Sequence, residues 1–553
     1  MHIEFTRRRA PLQAALALVF LAGATSASAA TWYVAPTGND AAAGTLAAPW
    51  KSFAKAQSAA AAGDTVYFRG GAYVFMGGLN GCASMTDTVN VVTLNKSGSA
   101  GKLIRYWAYP GETPVFDFSR MKDNCRVKGF NVTGSWIHLK GLEVTGAPQQ
   151  PGNLLNNESW GVWNSGSNNI YEFLNIHHNM GPGMFISKGS NNLVLNVDSH
   201  HNYDPYSKSG AGQNADGFGV HIGANSPGNV LRGCRAWANT DDGYDFINAG
   251  SVVVVENSWA WRHGYYPGTT TSIPAGNGNG FKVGGFGGGW AANAPVHIAR
   301  NNVAFGNKAA GFYANHHPVA NVFYNNTSVA NKPDFNMLGV DETGSAVNLG
   351  ILRNNLAYTG TLVSNTDGAD MAYNSWNLPV TLNSSDFQST SLDGWDAPRL
   401  PDGSLPQLPM FRLKAGSDLI DKGVNVGLPY QGAAPDLGAF EGSAVVPLFT
   451  DVTASMKIAQ SGLVLDRASG KIRGTVSFTN MSNAIVSGNL LLRLDGLTPG
   501  VTLDNAGGSQ GGAPTLAVPV ASLAPGETVT VTTLFLNPDK LGIGYAPKFF
   551  AAK

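Results

Sequence analysis

Charge is scarce in this chain. Lysine, arginine, aspartate and glutamate make up 13% of its 553 residues, roughly half the usual ~25%. The 36 basic and 36 acidic residues cancel, and no basic block occurs. That excludes a nucleic-acid-binding surface, which needs concentrated positive charge. Cysteine is scarcer still. Cys82, Cys125 and Cys234 are the whole complement, too scattered for a metal motif. Beyond the N-terminus no apolar run is long enough to span a membrane. Yet 43% of residues are hydrophobic, which supports a core and excludes wholesale disorder.

Glycine and asparagine are what the chain has in excess. There are 69 glycines and 49 asparagines, 36 of the latter between Asn153 and Asn377. Such a composition, with little lysine and glutamate, points to turn-dense β structure. The length suggests more than one domain.

Residues 1–29 read as a signal peptide. Arg7-Arg8-Arg9 is a positive n-region, Ala14 to Ala22 a short apolar core, and Ala27-Ser28-Ala29 a small-residue cleavage signal. The mature protein is therefore expected outside the cytoplasm, secreted or periplasmic. In an oxidising compartment Cys82 and Cys125 could pair, leaving Cys234 as a small buried residue.

The next stretch carries a cap. Ser52 to Ala62 is Ala-rich, with Phe53 and Ala56 on one face, and predicts a short helix. Thr65-Val66-Tyr67-Phe68 predicts a strand. A helix there can cover an exposed sheet end.

The middle of the chain repeats. Asn179, Asn202, Asn239, His263, Asn307 and Asn331 each end a short β-prone run, at spacings of 23, 37, 24, 44 and 24 residues. A period of ~20–25 residues without helical patterning predicts a parallel β-solenoid. One column of asparagines can then bond from coil to coil. The column two places earlier holds His177, His200, Trp237, Trp261, Phe305 and Val329, large side chains suited to an inward stack. The two long spacings predict insertions near Tyr203 to Ala215 and near Tyr265 to Asn279. Function tends to sit on such loops.

The solenoid domain is expected over residues 30–441, its last part drifting into Pro-rich coil between Pro398 and Pro409. A small-residue linker follows at 442–447. Residues 448–553 alternate apolar and polar positions between turn signals, which predicts an accessory β-sandwich. Two of the histidine pairs, His177-His178 and His200-His201, are explained by stacking of coils. His316-His317 is not covered by that account.

Aligning coils on the four residues at the next turn brings out a candidate site. The segments are Pro182-Gly183-Met184-Phe185, Asp216-Gly217-Phe218-Gly219, Asp242-Gly243-Tyr244-Asp245, Asn279-Gly280-Phe281-Lys282 and Ala310-Gly311-Phe312-Tyr313. Glycine is constant and an aromatic nearly so, a turn and a core plug. The flanking columns place Asp216 one coil from Asp242, and Asp245 one coil from Lys282. Asp241 adds a fourth acid. Carboxylates about 5 Å apart repel unless a cation lies between them. An all-oxygen set suits Ca²⁺. A bland alternative is that Asp241-Asp242-Gly243 is an ordinary turn. Lys282, beside such a site, is either a salt-bridge partner of Asp245 or a general base with a lowered pKa.

These three motifs, Asn214 to Phe218, Asp241 to Asp245 and Gly278 to Lys282, resemble those of pectate lyases in polysaccharide lyase family 9, without departure at the five charged positions. The resemblance covers roughly residues 31–441. It implies an all-β, right-handed parallel β-helix, Ca²⁺ held by Asp216, Asp241, Asp242 and Asp245, and Lys282 as the Brønsted base. The implied substrate is an acidic polysaccharide, polygalacturonate, cleaved by β-elimination. The partners expected are that glycan and Ca²⁺, with no nucleic acid or membrane and the chain a monomer. The residues leave rivals open: a lyase for another polyuronate or a sulfated glycan, a metal-free pectin hydrolase using paired aspartates, and a non-catalytic glycan-binding solenoid. Arg232, Arg235, Arg262, His263, Tyr244, Tyr265 and Lys308 are near the site in sequence, several of them for structural reasons.

Overall fold

The computed structural model describes residues 29–77, 82, 84–122, 125–152, 157–400, 403–442, 449–467, 470–487, 490–506, 508–510, 513–520 and 522–552. The expected leader, apart from Ala29, and all but Gly442 of the expected linker lie outside the described residues.

Ser52 caps a helix over Phe53–Ala59 by accepting from the backbone N–H of Lys55, and the helix buries Phe53, Ala56 and Gln57. Phe53 packs against Phe68, Tyr106, Phe116 and Phe130, so an aromatic plug closes the end of the first coils. Thr65–Phe68 is a strand, as the pattern predicts.

From there the chain winds as a right-handed parallel β-helix. Three sheets run its length. The first starts at Thr31–Val34 and ends at Asp370–Ala372, the second runs from Gly71–Met76 to Leu356–Tyr358, and the third from Thr88–Leu94 to Val363–Ser364. Every pairing along these stacks is parallel, and the third sheet's coils around the acidic turns are in register.

The asparagine ladder is present. Asn202 Oδ1 accepts from the backbone N–H and the amide of Asn179, at 3.0 and 3.1 Å. Asn239 serves Asn202 likewise, and Asn331 serves Asn307. His263 takes its place in line: its Nδ1 lies 3.3 Å from the Asn239 nitrogen, and its own N–H donates to Asn307. The residue before each rung turns the corner in the left-handed region, at φ 55° for His178, 53° for His201, 52° for Ala238 and 56° for Arg262. Each such non-glycine residue costs roughly 1 kcal/mol, so the buried amide bonds must hold the corner. The stacking of His177 on His200 and of His178 on His201 follows from the same register. A second ladder, through Asn302, Asn326, Asn355 and Asn374, joins the first and second sheets.

One expectation is corrected. The column from His177 to Val329 stacks from coil to coil but faces outward. Strand side chains alternate, and the inward place between Trp259 and Trp261 is taken by Ala260, with Ala236 and Ala304 beside it. The coil interior is already filled by the third sheet's rings, Phe218, Tyr244, Phe281, Phe312 and Phe335, stacked 4.6–5.0 Å apart. The outward tryptophans are instead buried by the chain after residue 373, through Phe387, Trp395, Met410 and Phe411. Arg399 from that segment meets Asp198 at 2.6 Å, and Arg235 donates to the carbonyls of Trp395 and Ala397.

The C-terminal part has antiparallel sheets, with Lys471–Asn480 paired to Thr528–Leu536 and Leu490–Asp495 to Ala546–Ala552. They share a separate core that includes Phe478, Leu492, Phe535 and Phe549. Cys82 and Cys125 form a disulfide, and Cys234 is buried.

Candidate functional site

The third sheet sets the register of the charged residues. Tyr244 pairs with Phe281 and Asp245 with Lys282, one coil apart; Phe218 pairs with Tyr244 and Gly219 with Asp245. Because Phe218, Tyr244 and Phe281 face inward, Asp245 and Lys282 face out on the same wall. The turn that enters each strand carries Asp216 on one coil and Asp241-Asp242 on the next.

All five side chains are buried. Lys282 Nζ is 3.1 Å from Asp242 Oδ2, 3.1 Å from Asp245 Oδ2 and 3.2 Å from Asn277 Oδ1. One oxygen each from Asp216, Asp241 and Asp242 lies within 4.8 Å of the others. Asp245 stands beside this trio, bonded to Lys282 and to the backbone N–H of Ile247, with His221 Nε2 at 3.8 Å.

Backbone and amide donors aim the acids. Asp216 Oδ1 accepts from the Asp242 N–H at 3.1 Å, and Asp241 Oδ1 from the Asn277 N–H at 2.6 Å. Asp242 Oδ1 accepts from both nitrogens of Asn279. Its Oδ2 is buried without a hydrogen bond, and its contact to Lys282 is an ion pair.

Four carboxylates and one ammonium leave a net negative charge in a dry site. Burial, then the neighbouring acids, drive the pKa of Asp216 and of Asp241 well above the carboxylate range. Asp242 is raised by burial despite Lys282. Burial pushes Asp245 upward too, but Lys282 and His221 outweigh it and hold it low. Burial works to neutralise Lys282; the charges of Asp245, Asp242, Asp241 and Asp216 overcome it and keep the ammonium. A divalent cation answers this imbalance. Oxygens bound at ~2.4 Å to one Ca²⁺ can be at most ~4.8 Å apart, which the trio satisfies, and Asp242 Oδ2, held by its ion pair to Lys282 alone, has lone pairs to give. The residues fit a hard cation.

Both insertions border the site. The stretch from Tyr203 folds back through Asp204, which accepts from the Asn214 N–H and from Ser207. The excess of the longer spacing divides between residues 264–277 and 284–296, rather than lying in the first alone. Lys308 Nζ ties the first of these down through the carbonyls of Ile273 and Gly276. Most of the neighbouring candidates serve the fold. Tyr244 and His263 are buried, Arg232 pairs with Glu256, Arg235 with Asp198 and Arg262 with Asp393. Asn279 stands in the aligned column of Asp216 and Asp242, where the alignment assigns it no role; Asn277 and His221 are contacts outside the coil alignment. His221 lies two columns beyond the aligned segments, and Asn277 inside an insertion where no column exists.

The model of the Pel9A-like right-handed β-helix region matches residues 32–355. "Pectate lyase L" of Dickeya chrysanthemi is 36% identical over 419 residues, 74% of this chain and 90% of that protein. The crystal structure of pectate lyase Pel9A is similar at a TM-score of 0.63 and 35% identity, covering 75% of this chain and 97% of that one. A solved rhamnogalacturonan lyase gives 0.64 and 34%, covering 70% and 96%. With the coil register, the matched region and this extent of identity in agreement, the chain belongs to the Pel9A-like family of right-handed β-helix polysaccharide lyases.

Proposed function

We propose that the protein is a Ca²⁺-dependent pectate lyase, with residues 30–441 as the catalytic domain and 448–553 as an accessory module. The observation that carries this reading is a single amine, Lys282 Nζ, at 3.1 Å from two buried aspartates of an all-oxygen acidic cluster. The relatives named for pectate cleavage support it.

Asp216, Asp241, Asp242 and Asp245 would hold the ion. Bound there, Ca²⁺ would neutralise the C6 carboxylate of a galacturonate and favour the charge that develops when C5 loses its proton. Lys282 does the proton chemistry. Its ammonium form depends on the charges of the surrounding acids; with those charges engaged by a cation, the buried amine can give up its proton and act as base. The C5–H pair forms the C4–C5 double bond, the C4–O bond breaks, and the departing oxygen takes a proton from solvent. No water is consumed. Asn279 and Asn277 keep Asp242 and Asp241 turned to their task. The reading places this activity outside the cytoplasm, on the strength of the N-terminal leader. Among the described residues no helix is long and apolar enough to cross a membrane.

The likeness to a rhamnogalacturonan lyase favours a second reading, in which the same base and cation site act on a uronate within a mixed pectic backbone. One panel tests both: polygalacturonate and rhamnogalacturonan, each with Ca²⁺ and with a chelator. Ultraviolet-absorbing unsaturated ends from polygalacturonate, lost on chelation, support the first reading. Product from rhamnogalacturonan alone supports the second. Reducing ends without absorbance would favour hydrolysis, and no product from either would leave a binding solenoid.

A further inference from the structure

The outward column of the third sheet does not stop at the site. Toward the N-terminal end it runs Lys282, Asp245, Gly219, Phe185, Trp163 and Asn131. A Cβ on Gly219 would stand 2.6 Å from the Phe185 ring, so that ring lies over the glycine and leans toward the acidic rung. His221 fills the gap, its ring 4.7 Å from Phe185 and its Nε2 3.8 Å from Asp245. Phe185 stacks on Trp163 at 4.8 Å, and Trp163 meets the buried Trp160 edge-on. Both Phe185 and Trp163 remain half-buried, with part of each open to solvent.

A cation completes the tract. Lys128 Nζ sits 3.7 Å from the centre of the Trp163 ring. Among the described residues it has no carboxylate or carbonyl partner, whereas the adjacent Arg126 is paired with Glu158 at 2.7 Å. Burial and then Arg126 push the Lys128 pKa down to about 8. A half-buried ammonium without an anion is costly, and an incoming carboxylate would relieve that cost through a charge-assisted hydrogen bond.

We propose that Phe185, Trp163 and Lys128 form a distal subsite for an anionic polysaccharide, the open edges of the stacked rings packing against the sugars and the ammonium taking a carboxylate. This rests on the reading of the Lys282 site as a uronate lyase. At ~4.8 Å per coil, Phe185 lies about 14 Å and Lys128 about 24 Å along the wall from Lys282, so only a long chain reaches both places.

Trp163→Ala and the milder Lys128→Gln test the subsite on long polygalacturonate and on a galacturonate trimer with Ca²⁺, with thermal melting as the folding check. KM for the polymer should rise about fivefold to tenfold in each, the worth of one aromatic or charged contact, with a larger change in KM than in kcat and a larger loss on polymer than on trimer. An unchanged polymer KM in Lys128→Gln overturns the proposal, even where Trp163→Ala fails to fold. A second measurement needs no turnover. In a Lys282→Ala background, long oligogalacturonates should quench tryptophan fluorescence, and adding Lys128→Gln should weaken that binding about fivefold or more. Equal affinity overturns the proposal and leaves the lyase reading intact. Lys128-dependent binding by a chain whose wild type makes no unsaturated product sustains the subsite and sinks the lyase reading.

Discussion

Asn279 gives both its backbone and its side-chain N–H to one oxygen of Asp242, at 2.7 and 2.9 Å, across one turn of the solenoid. The other oxygen is thereby turned toward Lys282 and the remaining acids. Asn279 occupies the column that holds Asp216 and Asp242 on the preceding coils. The same ladder position is thus a donor on one rung and an acid on the next.

Asn279→Ala should therefore weaken Ca²⁺ binding by about 10- to 100-fold, the usual effect of removing a partner that orients a metal ligand. Calcium titration by calorimetry measures this directly. Binding as tight as in the wild type would show that Asp242 needs no such support.

Lys282→Ala should lower the rate of elimination by roughly 10²–10⁴-fold, the contribution of a general base, while the acids still bind Ca²⁺. It also removes the cation that balances four buried acids. The metal-free variant should lose about 3 kcal/mol or more, and Ca²⁺ should raise its melting temperature more than that of the wild type. Melting with and without a chelator checks the second effect independently of substrate.

Asp334 ends the asparagine ladder. Its Oδ1 accepts from Asn331 and Ser328, and its Oδ2 has no partner. Burial raises its pKa to about 7, against an ordinary 3.8. A raised carboxyl favours the folded state while protonated, so its penalty is absent below about pH 4 and complete above about pH 7, reaching at most a few kcal/mol. Asp334→Asn keeps the accepting oxygen and cannot ionise. Denaturant titrations at pH 4.5 and 8 should show the variant gaining stability relative to wild type as pH rises; a pH-independent difference would refute the assignment.

Asn202→Ala leaves the backbone N–H of Asn179 without its acceptor, while the Asn179 amide keeps its bond to the His177 carbonyl. One orphaned buried donor costs about 1–3 kcal/mol, so urea unfolding should show a loss of roughly 1–3 kcal/mol, without a change in the site.

The five charged positions were legible because the repeat is regular where they stand. Glycine and an aromatic recur in Asp216 to Gly219, Asp242 to Asp245 and Asn279 to Lys282, and parallel pairing turns equal columns into neighbours. The direction of the Trp237 column was not legible, because alternation along a three-residue strand is too short to say which face is dry. Ala260 and its neighbours look like filler in sequence, yet they face the stacked rings. Nor could the covering of Trp259 and Trp261 be foreseen, since Trp395 and Phe411 lie more than a hundred residues later in a stretch without periodicity. Asn277 was hidden for a related reason: it reaches Lys282 from a loop that has no counterpart on other coils.

The segment after residue 373 has a further consequence. It grips the solenoid at separated heights, through Arg399 on Asp198, Asp393 on Arg262 and the Val424 carbonyl on Asn354. Open repeat arrays gain or shed units freely. Here one added or deleted turn would shift those anchor points against each other by about 4.8 Å, breaking at least one. The strap acts as a ruler, and a change in the number of turns would have to be matched by a change in its own length.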